Sequence, residues 1–340
     1  MRDHVPPRRL PPLVVMPDGS FPTSLEEWPH CRPNSISMNA RCVGSTNSWL
    51  ALVLFDDNEY RPSYMLHDPF TSMTVPLPEL DAIISGAPNA FQIRKVLMRS
   101  TPDNIIAVMP NNRNCPLILI MPGKGAWVSN KPQTTALPTR IIDVAFLGDR
   151  LYGITEAEDL ICLEIALDVD GVPEVTSTHY VIRHSNEDVD DTNNIHIHDG
   201  ILYAYDDEHP FLFTIMITTL YFIEMRGKLL MLRWKFPDPR YNGEHTRKVE
   251  VFEADITSRA WIPVTGGLDA NALFVSKLSS MSIPAGGEVE EDDIHFIDTR
   301  QTFNVRSQMI TSLPHDHFKY RKFFRDWKVP TWIFPPELVV

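Results

Sequence analysis

The chain has 340 residues, with 31 Lys or Arg against 44 Asp or Glu, a net charge of −13. A field of that sign repels phosphate backbones and anionic lipid headgroups, which argues against nucleic-acid or membrane partners. Twenty-nine prolines stop helices and stay out of central strands, so the composition points to many short strands joined by tight turns.

Residues 1–10, including Pro6, Pro7, Arg8 and Arg9, read as a disordered arm without the features of a signal peptide. Strand formers begin at Leu13–Met16. Four later segments share a hairpin pattern, a Gly beside polar residues followed by an apolar run. They are Gly44 before Trp49–Val53, Gly148-Asp149 before Leu151–Ile154, Asp199-Gly200 before Ile201–Ala204, and Arg226-Gly227 before Leu229–Leu232. A second element follows three hairpins. It comprises Met65–Thr71 before Val75-Pro76-Leu77-Pro78, Ile118–Met121 before Trp127, and Val249–Asp255 before Trp261–Val264.

Together the two elements describe four-stranded antiparallel meanders at the ~40–50-residue period of propeller blades. This predicts an all-β propeller of six or seven blades in a single domain over residues 11–336, its ring closed by N- and C-terminal strands at Leu13–Met16 and Thr331–Phe334. The apolar run Phe211–Ile223 falls short of the ~20 residues of a membrane-spanning helix, and its β-branched Thr214, Thr218 and Thr219 suit a pair of buried strands. Residues 184–210 read as an acidic solvated insertion with one small hairpin at Asp199-Gly200. Residues 308–328 read as a basic and aromatic connector, and as the place for a helix.

Few groupings carry chemistry. His196 and His198 alternate on a strand and would share a face, as metal ligands do, but Asp199 and Gly200 break the longer pattern of metallohydrolases. The acidic run Glu187–Asp191 lacks the Gly and terminal Glu of a calcium loop. Glu288, Glu290, Glu291, Asp292 and Asp293 read as a solvated loop. Pro122-Gly123-Lys124-Gly125 has neither Walker spacing nor a hydroxyl residue after the lysine, and reads as a turn. No nucleophile elbow occurs, and Cys31, Cys42, Cys115 and Cys162 show no metal or disulfide spacing, so they read as buried thiols of a reducing compartment. Trp49, Trp127 and Trp261 are expected in blade cores. His317–Arg325 reads as an amphipathic connector packing Phe323, Phe324 and Trp327. The reading therefore names no catalytic, cofactor-binding or metal residue, and expects no cofactor.

The stretches Cys42-Val43-Gly44-Ser45 with Trp49-Leu50-Ala51, Asp68-Pro69-Phe70-Thr71, Ala145–Tyr152, Glu224–Met231 and Trp332-Ile333-Phe334-Pro335 resemble the F-box-associated KIB-type β-propeller family of plants. The resemblance spans about residues 10–336 and implies a propeller that recognises protein partners, as a substrate-recognition or kinase-recognition module. Members often carry an N-terminal F-box that docks on the Skp1 subunit of a cullin ubiquitin ligase. About a dozen residues precede the first strand here, so direct docking through an F-box is not expected, while a link to ubiquitin-ligase regulation stays an expectation of the resemblance. The expected function is a protein-interaction scaffold, not an enzyme, located inside the cell in cytoplasm or nucleus. Two alternatives are a propeller hydrolase with a metal or acid/base site in its central channel, and a truncated, non-functional family member.

Overall fold

The computed structural model describes residues 12–22, 30–31, 36–37, 39–55, 62–85, 93–99, 103–111, 115–129, 141–183, 201–204, 214–237, 248–287, 289–297, 299, 301–312 and 330–338. It begins with β1 (Leu13–Val15) and the small pair β2 (Phe21–Pro22) and β3 (His30–Cys31). The first blade is the meander β4 (Ala40–Thr46), β5 (Trp49–Leu54), β6 (Ser63–Asp68) and β7 (Met73–Pro76), followed by helix α1 (Pro78–Ser85). The second is β8 (Ile93–Met98), β9 (Ile106–Pro110), β10 (Ile118–Met121) and β11 (Gly125–Val128). The third is β12 (Ile141–Leu147), β13 (Arg150–Thr155), β14 (Leu160–Leu167) and β15 (Pro173–Ile182).

The fourth blade has five strands, β16 (Ile201–Ala204), β17 (Thr214–Met225), β18 (Lys228–Pro237), β19 (Lys248–Asp255) and β20 (Ala260–Pro263). The fifth contains β21 (Asn271–Val275), β22 (Ser280–Pro284), β23 (Asp293–Phe296), β24 (Gln301–Asn304) and β25 (Ile310–Ser312). Its spatial order is β22-β21-β23-β24-β25: the chain lays down the second strand before the innermost one, which leaves β21 and β23 parallel. β26 (Thr331–Ile333) then pairs antiparallel with β1, Leu13 opposite Ile333, and a short 3-10 turn (Pro336–Leu338) follows.

Each blade is covered on both faces, and this explains why its strands are continuous apolar runs without alternation. Ile105, Ala107 and Met109 face the third blade, while Ile106 and Val108 face the first. In β17, Tyr221, Ile223 and Met225 pack on the fifth blade and Phe222 on the third. The ring closes through the terminal ribbon. Ile333 and Val15 pack on Leu50 and Leu52 of the first blade, and Phe334 and Trp332 on Phe274 and Ile283 of the fifth.

The structure corrects the blade number: five, where the sequence predicts six or seven. The period argument divides length evenly, whereas this chain lengthens β15, β17 and β18 to 10, 12 and 10 residues and adds a fifth strand to two blades. The terminal strands form a two-stranded wedge and not a further blade.

Smaller expectations also change. Gly44 lies inside β4, and the turn is Asn47-Ser48, with Asn47 at φ 53°. Ile201–Ala204 pairs forward with Thr214–Ile217, and the expected turn at Asp199-Gly200 lies outside the described residues. The run 211–223 contributes to one strand, β17, and not to two. Ile310–Ser312 of the connector is strand, and the rest of that segment, 313–328, lies outside the described residues. The helix among the described residues is α1, at Pro78, with Glu79 and Asp81 in its first turn, a favourable start for the helix dipole.

The layer between the fourth and fifth blades is anchored by Trp234, fully buried and stacked on Phe296 at a centroid distance of 4.7 Å. Trp234→Ala is expected to cost about 3–5 kcal/mol, read as a lowered urea midpoint with unchanged m-value.

Candidate interaction site

The innermost strands β4, β8 and β12 share one local device. Each pairs with its neighbour across a bulge that skips Val43, Arg94 or Ile142. A bulge bends the strand and re-aims the residue after it. Those next residues are Gly44, Lys95 and Asp143, and each turns toward the following blade. A side chain at Gly44 would meet the backbone nitrogen of Val96 at 3.7 Å, so β4 lies in van der Waals range of β8 there. Lys95 Nζ donates to Asp143 Oδ1 at 2.5 Å and to the Val144 carbonyl at 3.3 Å. Asp143 Oδ2 accepts from the Phe222 amide of the fourth blade at 2.9 Å.

Further links continue this belt. The Met98 amide donates to Thr46 Oγ1 at 2.9 Å, and Arg94 donates to the Ile142 carbonyl at 3.2 Å. Ser282 Oγ donates to the Glu224 carbonyl at 3.2 Å. Between the fifth and first blades, Trp332 Nε1 donates to the Val275 carbonyl at 3.1 Å, and Ser45 Oγ bonds both Thr331 Oγ1 and the Trp332 carbonyl. These side chains satisfy inner-strand backbone groups that would otherwise face the axis unpaired.

The belt also fixes polarity. Links at matching strand ends, such as Thr46 with Met98 and Arg99 Nη1 with the Asp149 carbonyl (2.6 Å), make the inner strands run alike. One end of the axis, the hairpin end, therefore carries tight turns: Asn47-Ser48, Gly148-Asp149 and Arg226-Gly227. At the opposite, lead-in end the chain enters β8 through 77–92 and β12 through 129–140. The lead-in end thus holds two of the longer connections, and loops are where binding residues generally concentrate.

A second polar clasp joins the third and fourth blades. Arg233 Nε donates to Glu158 Oε1 at 2.9 Å while Nη2 pairs with Oε2, and Nη1 reaches Glu250 Oε2 at 3.3 Å. Lys248 bonds Glu250 at 2.8 Å, and Trp261 Nε1 donates to the Glu158 carbonyl at 2.7 Å. Burial opposes the charge on Arg233, yet its bonds to Glu158 and Glu250 hold its pKa above the ordinary value. Burial would likewise raise Glu250, but Lys248 and Arg233 outweigh it and hold the carboxyl below its usual range.

Besides the exposed His179 of β15, two histidines sit deeper in the blades. His67 is buried in β6, with Nδ1 at 3.4 Å from Thr74 Oγ1. His295 stacks on Phe274 at 4.4 Å, its Nδ1 at 3.2 Å from Thr302 Oγ1, and its buried Nε2 has no partner among the described residues. Burial lowers the pKa of both, against the nearby Asp68 and Asp293 respectively. The described thiols move the other way: burial pushes Cys42 up to about 12 and raises Cys115 and Cys162. Such thiols stay protonated at neutral pH and are poor nucleophiles.

The residues weighed from sequence fall in different places. His196, His198, Asp199, the run 187–191 and the stretch 317–325 lie outside the described residues. Gly123 and Lys124 form the β10–β11 turn. Trp127 is buried between the second and third blades, while Trp49 and Trp261 are half-buried against blade cores. The acidic run near residue 290 is only partly solvated. Asp292 is buried, accepting from the Leu268 amide at 2.5 Å and from Arg306 Nε at 2.7 Å, and Asp293 accepts from Asn304 at 2.7 Å. Among the described residues no three His, Cys, Asp or Glu side chains converge as a metal set. No helix among them is long and apolar enough to cross a membrane. Sequence reasoning missed the Lys95–Asp143 link. Its signal is a charged residue interrupting the apolar run of the inner strand in two successive blades.

The KIB1-4 beta-propeller family matches residues 15–320, and the five-bladed ring just described agrees with it. The chain belongs to that family of β-propellers. No curated protein matches the chain.

Two measurements test the electrostatics. Asp143→Ala strands a buried ammonium and a backbone amide, so a loss of about 3–5 kcal/mol is expected in denaturant unfolding, partly restored by adding Lys95→Met. The unfolded chain takes up a proton on His295 near pH 6.5 while the folded chain resists. The neutral ring's contribution is therefore complete above that pH and is lost as pH falls through the lower folded value. His295→Phe should show a smaller drop in urea midpoint between pH 7.5 and 5.5 than the unaltered protein.

Proposed function

We propose that the protein is a non-catalytic platform that binds other proteins through the loops at the lead-in end of its ring. The observation that carries this reading is the long connection 129–140 into the inner strand of the third blade, on a ring whose inner strands are locked by one polar belt. A rigid scaffold with variable loops keeps the ordering cost of binding low, because most of the platform is already fixed. The net charge of −13 favours partners with basic surface and speeds their encounter. Membership of the KIB-type propellers supports a protein partner, and the family resemblance supports substrate recognition linked to ubiquitin ligases, in cytoplasm or nucleus.

Proximity labelling in plant cells tests both levels. The unaltered protein should enrich a reproducible set of proteins. Replacing residues 130–140 by a Gly-Ser stretch of equal length should remove most of that set, while Asp149→Lys at the hairpin end should leave it intact. Both variants should keep the parent unfolding midpoint. Enrichment of Skp1 or cullin would support the ligase link, and their absence would leave a platform without it. A set unchanged by the loop replacement would overturn the lead-in assignment.

A further inference from the structure

The outer edges of the blades differ in length. β7, β11 and β20 have four residues and β25 has three, whereas β15 has ten. Short edges are the usual protection against unwanted strand pairing. The β14–β15 register skips Thr176 and Val181, so two bulges bracket the regular run Ser177–Tyr180. That run keeps its inward bonds to β14, and among the described residues no strand or loop backbone pairs with its outward side. In an antiparallel ladder alternate backbone groups point away from the partner, so the run presents roughly two N–H/C=O pairs to a newcomer.

The side chains beside this run are polar and exposed: His179, Tyr180 and, just beyond the strand, Arg183. The Arg183 guanidinium lies 4.3 Å above the Tyr180 ring. Stacking holds its planar fork in place while leaving its N–H groups outward. Among the described residues Arg183 has no carboxylate partner, in contrast to Arg233 and Arg306. The acidic group nearest the other end of the run, Glu164, is engaged by Ser177 Oγ at 2.7 Å. The open edge is therefore positive at its C-terminal end within an otherwise acidic protein.

We infer that Ser177–Tyr180 is a strand-addition site for an extended peptide whose carboxylate side chain meets Arg183. Backbone pairing supplies sequence-tolerant affinity, and the bidentate Arg183–carboxylate contact supplies selectivity. This rests on the protein-binding reading above, but it uses the rim of the third blade and not the axis end.

The test uses fluorescein-labelled, end-blocked octapeptides of alternating Thr and Val, carrying two Asp or two Lys at either terminus. Fluorescence anisotropy should show an Asp peptide binding at least tenfold tighter than its Lys counterpart, despite the net negative charge. Arg183→Ala should erase or reverse that preference, and amide exchange at Ser177–Tyr180 should slow about tenfold on saturation. Equal binding of the two peptides, binding of neither, or protection confined to other strands would overturn the inference. Because the labelling experiment perturbs only the axis ends, retained partner enrichment alongside a failed peptide assay would remove this site and leave the platform.

Discussion

Asp143 holds one carboxylate between three blades, and the ring depends on that placement. Its two oxygens are shared between the Lys95 ammonium of the second blade and the Phe222 amide of the fourth. A buried charge pair is often a poor source of stability, because removing two ions from water costs nearly what their attraction returns. Its value here is geometric. A sheet face of Leu, Ile and Val accepts many sliding positions against the next face. A carboxylate that must meet one ammonium and one amide accepts very few. The apolar layers hold the blades together, and the belt sets the register at which they meet.

That division of labour explains what could be read from the residues alone. Apolar runs such as Ile105–Met109 and Leu229–Leu232 announce strands covered on both faces, and Gly148 and Gly227 mark hairpins because their turns require positive φ. Gly44 misled because it lies inside β4, while Asn47 adopts the left-handed turn. The helix Pro78–Ser85 hid because Val75-Pro76-Leu77-Pro78 reads equally well as an extended segment. Blade number was out of reach, since unequal strand lengths and a fifth blade laid down out of spatial order both defeat a period count. The Lys95–Asp143 pair spans 48 positions, and no local pattern specifies which lysine meets which aspartate.

A ring built this way separates two demands. Inner strands are committed to one another through polar groups that tolerate little change, while the outer edge strands take no part in that belt. Substitutions in the second set alter what the molecule touches without loosening the wheel. Such a scaffold can carry different recognition surfaces on one core, which is the physical reason that fold membership identifies an architecture more sharply than a partner.

The pairing of Leu13 with Ile333 carries a consequence for biosynthesis. During translation β1 emerges long before its mate β26 leaves the ribosome. Until then Leu50 and Leu52 of the first blade lack their cover from Ile333, and Phe274 lacks Phe334. The nascent chain therefore carries greasy, unshielded surface until β26 seats, and such surface is prone to clumping.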